Sequence, residues 1–421
     1  MYLWWQMKIL QINSVFGTGS TGRIALGIHE VNKADGGQSV CLYGRGCANH
    51  LEAYRIGNQI DVFRHALLTR VTDKTGLGSR RATKEALSSV DLLDVDLVQL
   101  HNIHGYYINI EELCFFLSSI QKPVVWTFHD CWPLTGHCAY FTYAECDKWE
   151  SQCAKCPSVR QYPASWGIDN SRRNYQMKRR LFSTIANLNI VTPSNWLREI
   201  VSRSFFTDNN AVTIPNGINL QHFARVDSAE KRKELGLQNK YVILGVANPW
   251  TKRKGIDDFC RLSELLGQDC RIVLVGPGLS GKRVPTNITT IPGTENVHEL
   301  ALLYSMSDVF VNPTHEDNFP TTNLEALACG TPVITYPTGG SPESVSHTTG
   351  IVTSLPTSGC LAEAIAMLRS QPLQQQECIK RAHELYDEND RFRDYLSLYR
   401  QLVDQERFRS SGPGKSDGRT K

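Results

Sequence analysis

The chain has 421 residues; at roughly 150 residues per domain, that length predicts two or three domains and excludes a single small binding module. Its 41% hydrophobic and 21% charged composition suits buried cores rather than wholesale disorder. The 45 basic residues exceed the 42 acidic ones by three, too mild a balance for a protein devoted to a polyanion, so no nucleic-acid partner is expected.

No stretch reaches the ~18 consecutive apolar residues of a membrane-spanning helix; the run from Tyr241 to Ala247 is strand-sized. The opening MYLWWQMKILQI has neither a basic leader nor a small-residue cleavage site, and Met7 offers an alternative start after residues 1–6. Thirteen cysteines, an odd number without an export signal, fit a reducing cytoplasm better than a complete disulfide framework.

Short apolar runs predict strands over 8–13, 39–43, 97–101, 124–128, 190–192 and 212–214, with helices over 21–33, 83–90, 110–120, 174–186 and 195–203 between them. A second series predicts strands over 241–247, 271–275, 288–290, 309–312 and 333–335, with helices over 255–266, 297–305, 322–328 and 359–370. Such alternation demands parallel sheets covered on both faces. The fold class is therefore α/β: two Rossmann-like, doubly wound domains facing across a cleft. The first covers 1–218 with a cysteine-rich insertion at 131–157, and the second covers 219–388. A closing helix over 389–409 packs back on the first domain. The tail, 410–421, lacks aliphatic side chains and is expected to be disordered.

After the first strand, Gly17, Gly19 and Gly22 form G-x-G-x-x-G ahead of a helix, a loop that lets backbone amides approach a phosphate or sugar. A dinucleotide site also needs an acid at the end of the second strand, where Leu42, Tyr43 and Gly44 stand instead. That leaves a tight turn or a loop facing a different ligand. The third and fourth strands end in His101-Asn102-Ile103-His104 and His129-Asp130, at the sheet end that lines the crevice in such folds. His129 leads, because Asp130 or a backbone carbonyl can fix its tautomer.

In the second half, Lys252, Arg253 and Lys254 sit between a strand and a helix start, where cations are disfavoured unless an anion joins them. They suit a diphosphate leaving group. Farther on, Glu316 and Asp317 follow a strand, Pro320 to Asn323 open a helix with free amides, and Glu325 falls in its first turn. Free amides grip phosphate, while Asp317 and Glu325 can accept hydrogen bonds from vicinal hydroxyls.

These stretches, with LHNIHG, TFHD, VTPSNW, IPNGINLQHF, RKG, DNFPTTNLEALACGTPVI and TGGSPE, cover most of residues 8–345 in an order that resembles the family 4 retaining glycosyltransferases of GT-B fold. The similarity is to the bacterial enzymes of colanic acid, capsule and O-antigen assembly. The resemblance implies that Lys254 binds donor phosphate, Glu325 holds the nucleotide ribose, and the Thr321, Thr322, Asn323 and Leu324 backbone cradles the diphosphate. It places His129 beside the transferred sugar and Gly17 and Gly19 near donor and acceptor. Two positions depart from the family pattern. Asn248 replaces the phosphate-binding arginine six residues before the lysine, leaving Lys252 or Arg253 to compensate, and the first paired acid is Asp317 with Glu316 beside it. The family implies a UDP- or GDP-sugar donor, no catalytic metal, front-side attack in which the leaving phosphate takes the acceptor proton, and a polyprenyl-diphosphate-linked saccharide as acceptor.

Cys138, Cys146, Cys153 and Cys156 give C-x7-C-x6-C-x2-C, for which a structural zinc is the first expectation, ahead of two disulfides or free thiols. His137 ranks below them as a ligand. Six cations against two acids over 61–84, and five more over 172–180, suit a solvated helix face or an anionic membrane surface, which predicts a cytoplasmic protein peripheral to the inner face of the membrane. The expected catalytic set is His129, Lys254, Glu316 and Asp317. Two other readings compete: an NAD-dependent sugar-nucleotide oxidoreductase or epimerase, and a nonenzymatic sugar-binding protein of the same fold.

Overall fold

Two parallel sheets organise the chain, which the computed structural model describes over residues 6–48, 50–89, 95–281, 284–294 and 296–411. The first contains β1 (Lys8–Asn13), β2 (Gln38–Tyr43), β3 (Ala53–Arg55), β4 (Leu97–Leu100), β5 (Val124–Thr127), β6 (Leu188–Thr192) and β7 (Asn210–Thr213), in the order β3-β2-β1-β4-β5-β6-β7. The second contains β8 (Tyr241–Val246), β9 (Cys270–Val275), β10 (Ile288–Ile291), β11 (Val309–Asn312), β12 (Val333–Thr335) and β13 (Gly350–Val352), in the order β10-β9-β8-β11-β12-β13. The direction of winding reverses between β1 and β4 in one sheet and between β8 and β11 in the other. Crevices for ligands open at the carboxyl ends of such strand pairs.

Helices α1 (Gly19–Ala34), α2 (Gln59–Thr72), α3 (Arg80–Ser89), α4 (Ile110–Ile120), α5 (Ser171–Phe182) and α6 (Asn195–Ser202) accompany the first sheet. The second has α7 (Ala229–Glu234), α8 (Ile256–Leu265), α9 (Val297–Ser305), α10 (Thr321–Ala328), α11 (Ser358–Ser370) and α12 (Gln375–Leu385). Polar side chains start several of them: Asn58 forms a reciprocal capping box with Asp61 at α2, and Asn109, Asn296 and Thr357 cap α4, α9 and α11. Every residue of β4, β5 and β11 is buried, the condition of a parallel strand covered on both faces.

The last helix, α13 (Glu388–Ser411), returns to the first sheet as expected, with Phe392, Tyr395, Leu396, Tyr399 and Leu402 buried against Ile24, Ile28 and Val125. The Tyr399 hydroxyl donates to Gln99 Oε1 at 2.6 Å, so the helix also answers a polar group inside the sheet. It continues through Ser411, beyond the predicted boundary; residues 412–421 and the predicted helix end at Val90 lie outside the described residues.

Five elements escape the predicted pattern. Strands β3 and β13 are three residues long and largely unburied. Helix α7 buries nothing and α12 buries only Cys378 and Ala382, too sparse a stripe to mark a helix. In α2 the pattern is turned inside out: His65 and Thr69 face inward while Ile60, Phe63, Leu67 and Val71 are exposed.

Gly27 is where α13 comes closest to α1, since a Cβ there lies 2.1 Å from Phe392 Cε2. Gly27→Ala is expected to cost about 1–3 kcal/mol through overpacking and to lower the thermal midpoint in a melting experiment. An unchanged midpoint contradicts this packing.

Candidate active site

At the end of β1, Asn13 fastens the glycine loop to the end of β4. Its Oδ1 accepts from the amides of Ser14 (2.8 Å) and Asn102 (3.2 Å), and its Nδ2 donates to the Thr21 carbonyl (3.1 Å). The loop curls back through a bond from the Gly17 amide to the Gly22 carbonyl (2.9 Å), with φ of 72° at Gly17 and 65° at Gly19. No side chain caps the first turn of α1. Beside this loop, where a dinucleotide site requires its acid, a Cβ on Gly44 falls 2.1 Å from Tyr107 Cγ. The tyrosine ring leaves no room for a side chain at Gly44.

The histidine ends of β4 and β5 form two pairs. His101 Nδ1 lies 3.0 Å from His129 Nε2, and His104 Nε2 lies 2.9 Å from Asp130 Oδ2. The expected orientation of His129 by Asp130 or a backbone carbonyl is therefore corrected: Asp130 serves His104 and the Trp132 amide (2.9 Å), and His129 turns to His101. Burial lowers the His129 pKa to about 4 and holds His101 well below the ordinary imidazole value, with the neighbouring His129 adding to the effect at His101. Both rings are neutral near pH 7.

Across from them, the cations after β8 meet the acids after β11. Lys254 Nζ lies 2.5 Å from Asp317 Oδ2, and Arg253 donates to the Glu316 carbonyl at 2.9 Å with its Nε 3.8 Å from the Glu316 carboxylate. The anion that the helix-start cations call for is thus supplied by the protein itself. Lys252 stands apart, exposed and 4.0 Å from Asp257, and Asn248 lies exposed in the loop after β8. Glu316 is almost wholly buried and accepts from the Tyr143 amide at 2.7 Å, so the cysteine-rich insertion braces the acid loop. Burial raises the Glu316 pKa.

The acid loop also reaches β5 directly. Asn318 donates to the Phe128 carbonyl at 3.2 Å, one residue before His129, and accepts from Ser194 Oγ at 2.8 Å. Two glycines let the TGGSPE segment press against it: a Cβ on Gly339 would lie 1.8 Å from the Asp317 carbonyl and one on Gly340 1.9 Å from that of Asn318. From the same segment Glu343 accepts from the Asn195 and Trp196 amides (2.8 and 2.7 Å), neutralising the positive start of α6. VTPSNW and TGGSPE are therefore two halves of one latch between the sheets.

At α10, no side chain caps the first amides. The Asn323 amide is bonded to the Pro320 carbonyl (3.2 Å), its side chain is held by Asn312, Ser341 and Ser344, and the Leu324 side chain is buried in the core. Of the expected four-residue cradle, the Asn323 amide is thus already engaged within the turn. Glu325 accepts from the Tyr304 hydroxyl at 2.8 Å; burial pushes its pKa up, while Tyr304 and Arg23 of α1 pull it down.

Cys138, Cys146, Cys153 and Cys156 line one small cavity with Phe141 and Trp149, and all four are free thiols. Hydrogen bonding to Cys138 lowers the Cys156 pKa to about 7. Among the described residues, no three His, Cys, Asp or Glu side chains are close enough to share a metal ion, so the sulfurs as they stand do not form a zinc site. His137 is taken by Asp73 at 2.5 Å. Lys178, counted in sequence among the membrane-facing cations, is buried instead, donating to the Trp132 and Thr135 carbonyls with its ammonium 3.3 Å from the Trp132 ring centre. Burial lowers its pKa to about 7.

Residues missing from the sequence-derived site are Asn318, Ser194, Glu343, Tyr143 and Tyr304. Ser194, Asn318 and Glu343 lie within VTPSNW, DNFPTTNLEALACGTPVI and TGGSPE, but no local pattern marks their roles or those of Tyr143 and Tyr304, because each works through a partner distant in the chain.

Two doubly wound parallel sheets, with a charged crevice at the carboxyl ends of their strands, have the GT-B architecture of glycosyltransferases. Residues 34–222 match the family model described as Glycosyltransferase Family 4, and residues 227–385 that described as Glycosyl transferases group 1. The chain is 26% identical over 349 residues to the putative colanic acid biosynthesis glycosyl transferase WcaC of Escherichia coli K12, spanning 78% of this chain and 82% of that protein. It is 27% identical over 205 residues, 44% of this chain and 53% of the relative, to the N,N'-diacetylbacillosaminyl-diphospho-undecaprenol alpha-1,3-N-acetylgalactosaminyltransferase of Campylobacter jejuni. The structure of Anabaena HepE in complex with UDP and glucose superposes with a TM-score of 0.67 at 15% identity, covering 94% of this chain and all of that one. The protein belongs to glycosyltransferase family 4.

Proposed function

We propose that the protein transfers a sugar from a UDP- or GDP-sugar, with retention, to a hydroxyl of a polyprenyl-diphosphate-linked saccharide in bacterial surface polysaccharide assembly. The observation carrying this reading is the Lys254–Asp317 and Arg253–Glu316 set standing opposite His129 beside an uncapped α10. A diphosphate entering there takes over Lys254 from Asp317 and borrows the Thr321 and Thr322 amides, and these cations and dipoles stabilise it as it leaves. Glu325, on α10 and steadied by the Tyr304 hydroxyl, offers its carboxylate to the nucleotide ribose. With the leaving phosphate as proton acceptor, neutral His129 is not asked to be a strong base. The dinucleotide alternative is disfavoured because Tyr107 leaves no room for an acidic side chain at Gly44, at the end of β2.

We assign the cysteine insertion a bracing role at Glu316, exerted through the Tyr143 amide.

The inverted face of α2 supports a membrane-bound acceptor. Ile60, Phe63, Leu67 and Val71 form an exposed stripe flanked by Arg64 and Arg70, and exposed Trp166 lies alongside, its amide bonded to the Arg70 carbonyl at 2.8 Å. Apolar anchors edged with cations suit the surface of an anionic bilayer, on the cytoplasmic side where nucleotide sugars are made available. No helix of the described residues is long and apolar enough to cross a membrane.

Lys254→Ala and Glu325→Ala are each expected to lower turnover about tenfold or more, about 1.4 kcal/mol of transition-state stabilisation, without loss of the folded state. Product formation followed by mass spectrometry provides the measure; wild-type rates in both variants refute the site. In flotation assays the protein should rise with anionic liposomes at low salt and Phe63→Asp should weaken that binding; no binding by the wild type defeats the membrane assignment.

A further inference from the structure

The pair formed by His101 and His129 is one link of a longer chain whose hydrogen-bond directions can be worked out atom by atom. It begins at Gln11 in β1. The Gln11 side-chain nitrogen lies 2.9 Å from the Ala25 carbonyl, which can only accept, and 3.2 Å from Ser39 Oγ. The reverse amide orientation sets two oxygens against each other at that distance, so the Gln11 oxygen must be the atom facing His101 Nε2, at 3.2 Å. An amide oxygen only accepts. His101 therefore carries its proton on Nε2.

Burial keeps His101 uncharged, and a neutral imidazole has one donor and one acceptor. Its Nδ1 is left as the acceptor, facing His129 Nε2 at 3.0 Å, with the ring planes 18° apart. His129 Nε2 then carries the proton, and His129 Nδ1 holds a bare lone pair. The charged neighbours do not compete for that atom: the Asp130 carboxylate is engaged by His104 Nε2 and the Trp132 amide, both at 2.9 Å. His104 Nδ1 is in turn 3.0 Å from the Tyr162 hydroxyl.

We propose that Gln11 and His101 are positioning residues that lock His129 as the Nε2–H tautomer, so that Nδ1 meets the transferred sugar purely as a hydrogen-bond acceptor. The placement of His129 beside that sugar rests on the functional reading above; the tautomer itself does not. The consequence is a choice of substrate chemistry. Nδ1 takes the hydrogen of a sugar hydroxyl, and it turns away a carboxylate or phosphate oxygen at the same position, since two acceptors would then face each other. Neither residue touches the sugar. They act on it through the direction of two hydrogen bonds.

Long-range 15N–1H NMR of the imidazole rings tests the lock directly in the full-length protein without any substrate, with signals assigned by their loss in His101→Gln and His129→Gln. Both histidines are expected as neutral Nε2–H tautomers near pH 7, and a proton on Nδ1 of either overturns the proposal while leaving the glycosyltransferase reading intact. Gln11→Leu removes the anchoring acceptor and is expected to populate the Nδ1–H form of His129. It should lower kcat roughly tenfold, the worth of about one lost hydrogen bond, with UDP or GDP affinity unchanged. A Gln11→Leu protein that keeps the wild-type tautomer, or that changes the tautomer without changing kcat, also overturns it. If that variant does not fold, the wild-type spectrum alone decides.

Discussion

The meeting of Lys254 and Arg253 with Asp317 and Glu316 governs the rest of the molecule. Two cations at the start of α8 sit against the unfavourable end of a helix dipole, and two carboxylates on a partly buried loop resist losing their hydration. Each set makes the other tolerable. Both occupy the carboxyl ends of β8 and β11, where the winding of the second sheet reverses, so the charges are concentrated where that fold opens to a ligand. A nucleoside diphosphate is attractive here because it can replace the carboxylates as the partner of the cations. Removing one member without such replacement leaves a half-buried charge uncompensated.

The acid loop holds its place because contacts from the first sheet fix it. Asn318 is tied to the strand end preceding His129, Tyr143 supports Glu316, and Glu343 locks the start of α6 to the TGGSPE segment. The cation cluster and the histidines are therefore referenced to one another through hydrogen bonds spanning both sheets, which is the pre-organisation a transfer reaction needs. The exposed apolar face of α2 belongs to the same first-sheet half.

Sequence patterns revealed the sheets wherever burial on both faces leaves an uninterrupted apolar run, as in β4, β5 and β11. They were silent for β3 and β13, which are too short to show a pattern. They failed for α2 because its amphipathic order is reversed, with His65 and Thr69 inside. Residue types also singled out Lys254, Asp317, Glu325 and His129 as candidates. They did not reveal that Lys254 pairs with Asp317, that His129 leans on His101 rather than Asp130, or that Lys178 is buried. Those facts depend on which distant strands become neighbours, and Ser194 and Asn318 meet across 124 residues. The cysteine spacing shows the same limit: it brings four sulfurs to one cavity without fixing how close they come.

Thermal unfolding in the presence of UDP, GDP or NAD gives the most direct measurement of whether the cleft is built around a nucleoside diphosphate. A ligand bound to the native state raises the midpoint, by more as its concentration exceeds its Kd. UDP or GDP is expected to stabilise the wild-type protein, NAD is expected to have no effect, and the gain from UDP or GDP should vanish in Lys254→Ala. Stabilisation by NAD alone, or by none of the three, contradicts a diphosphate site in this cleft.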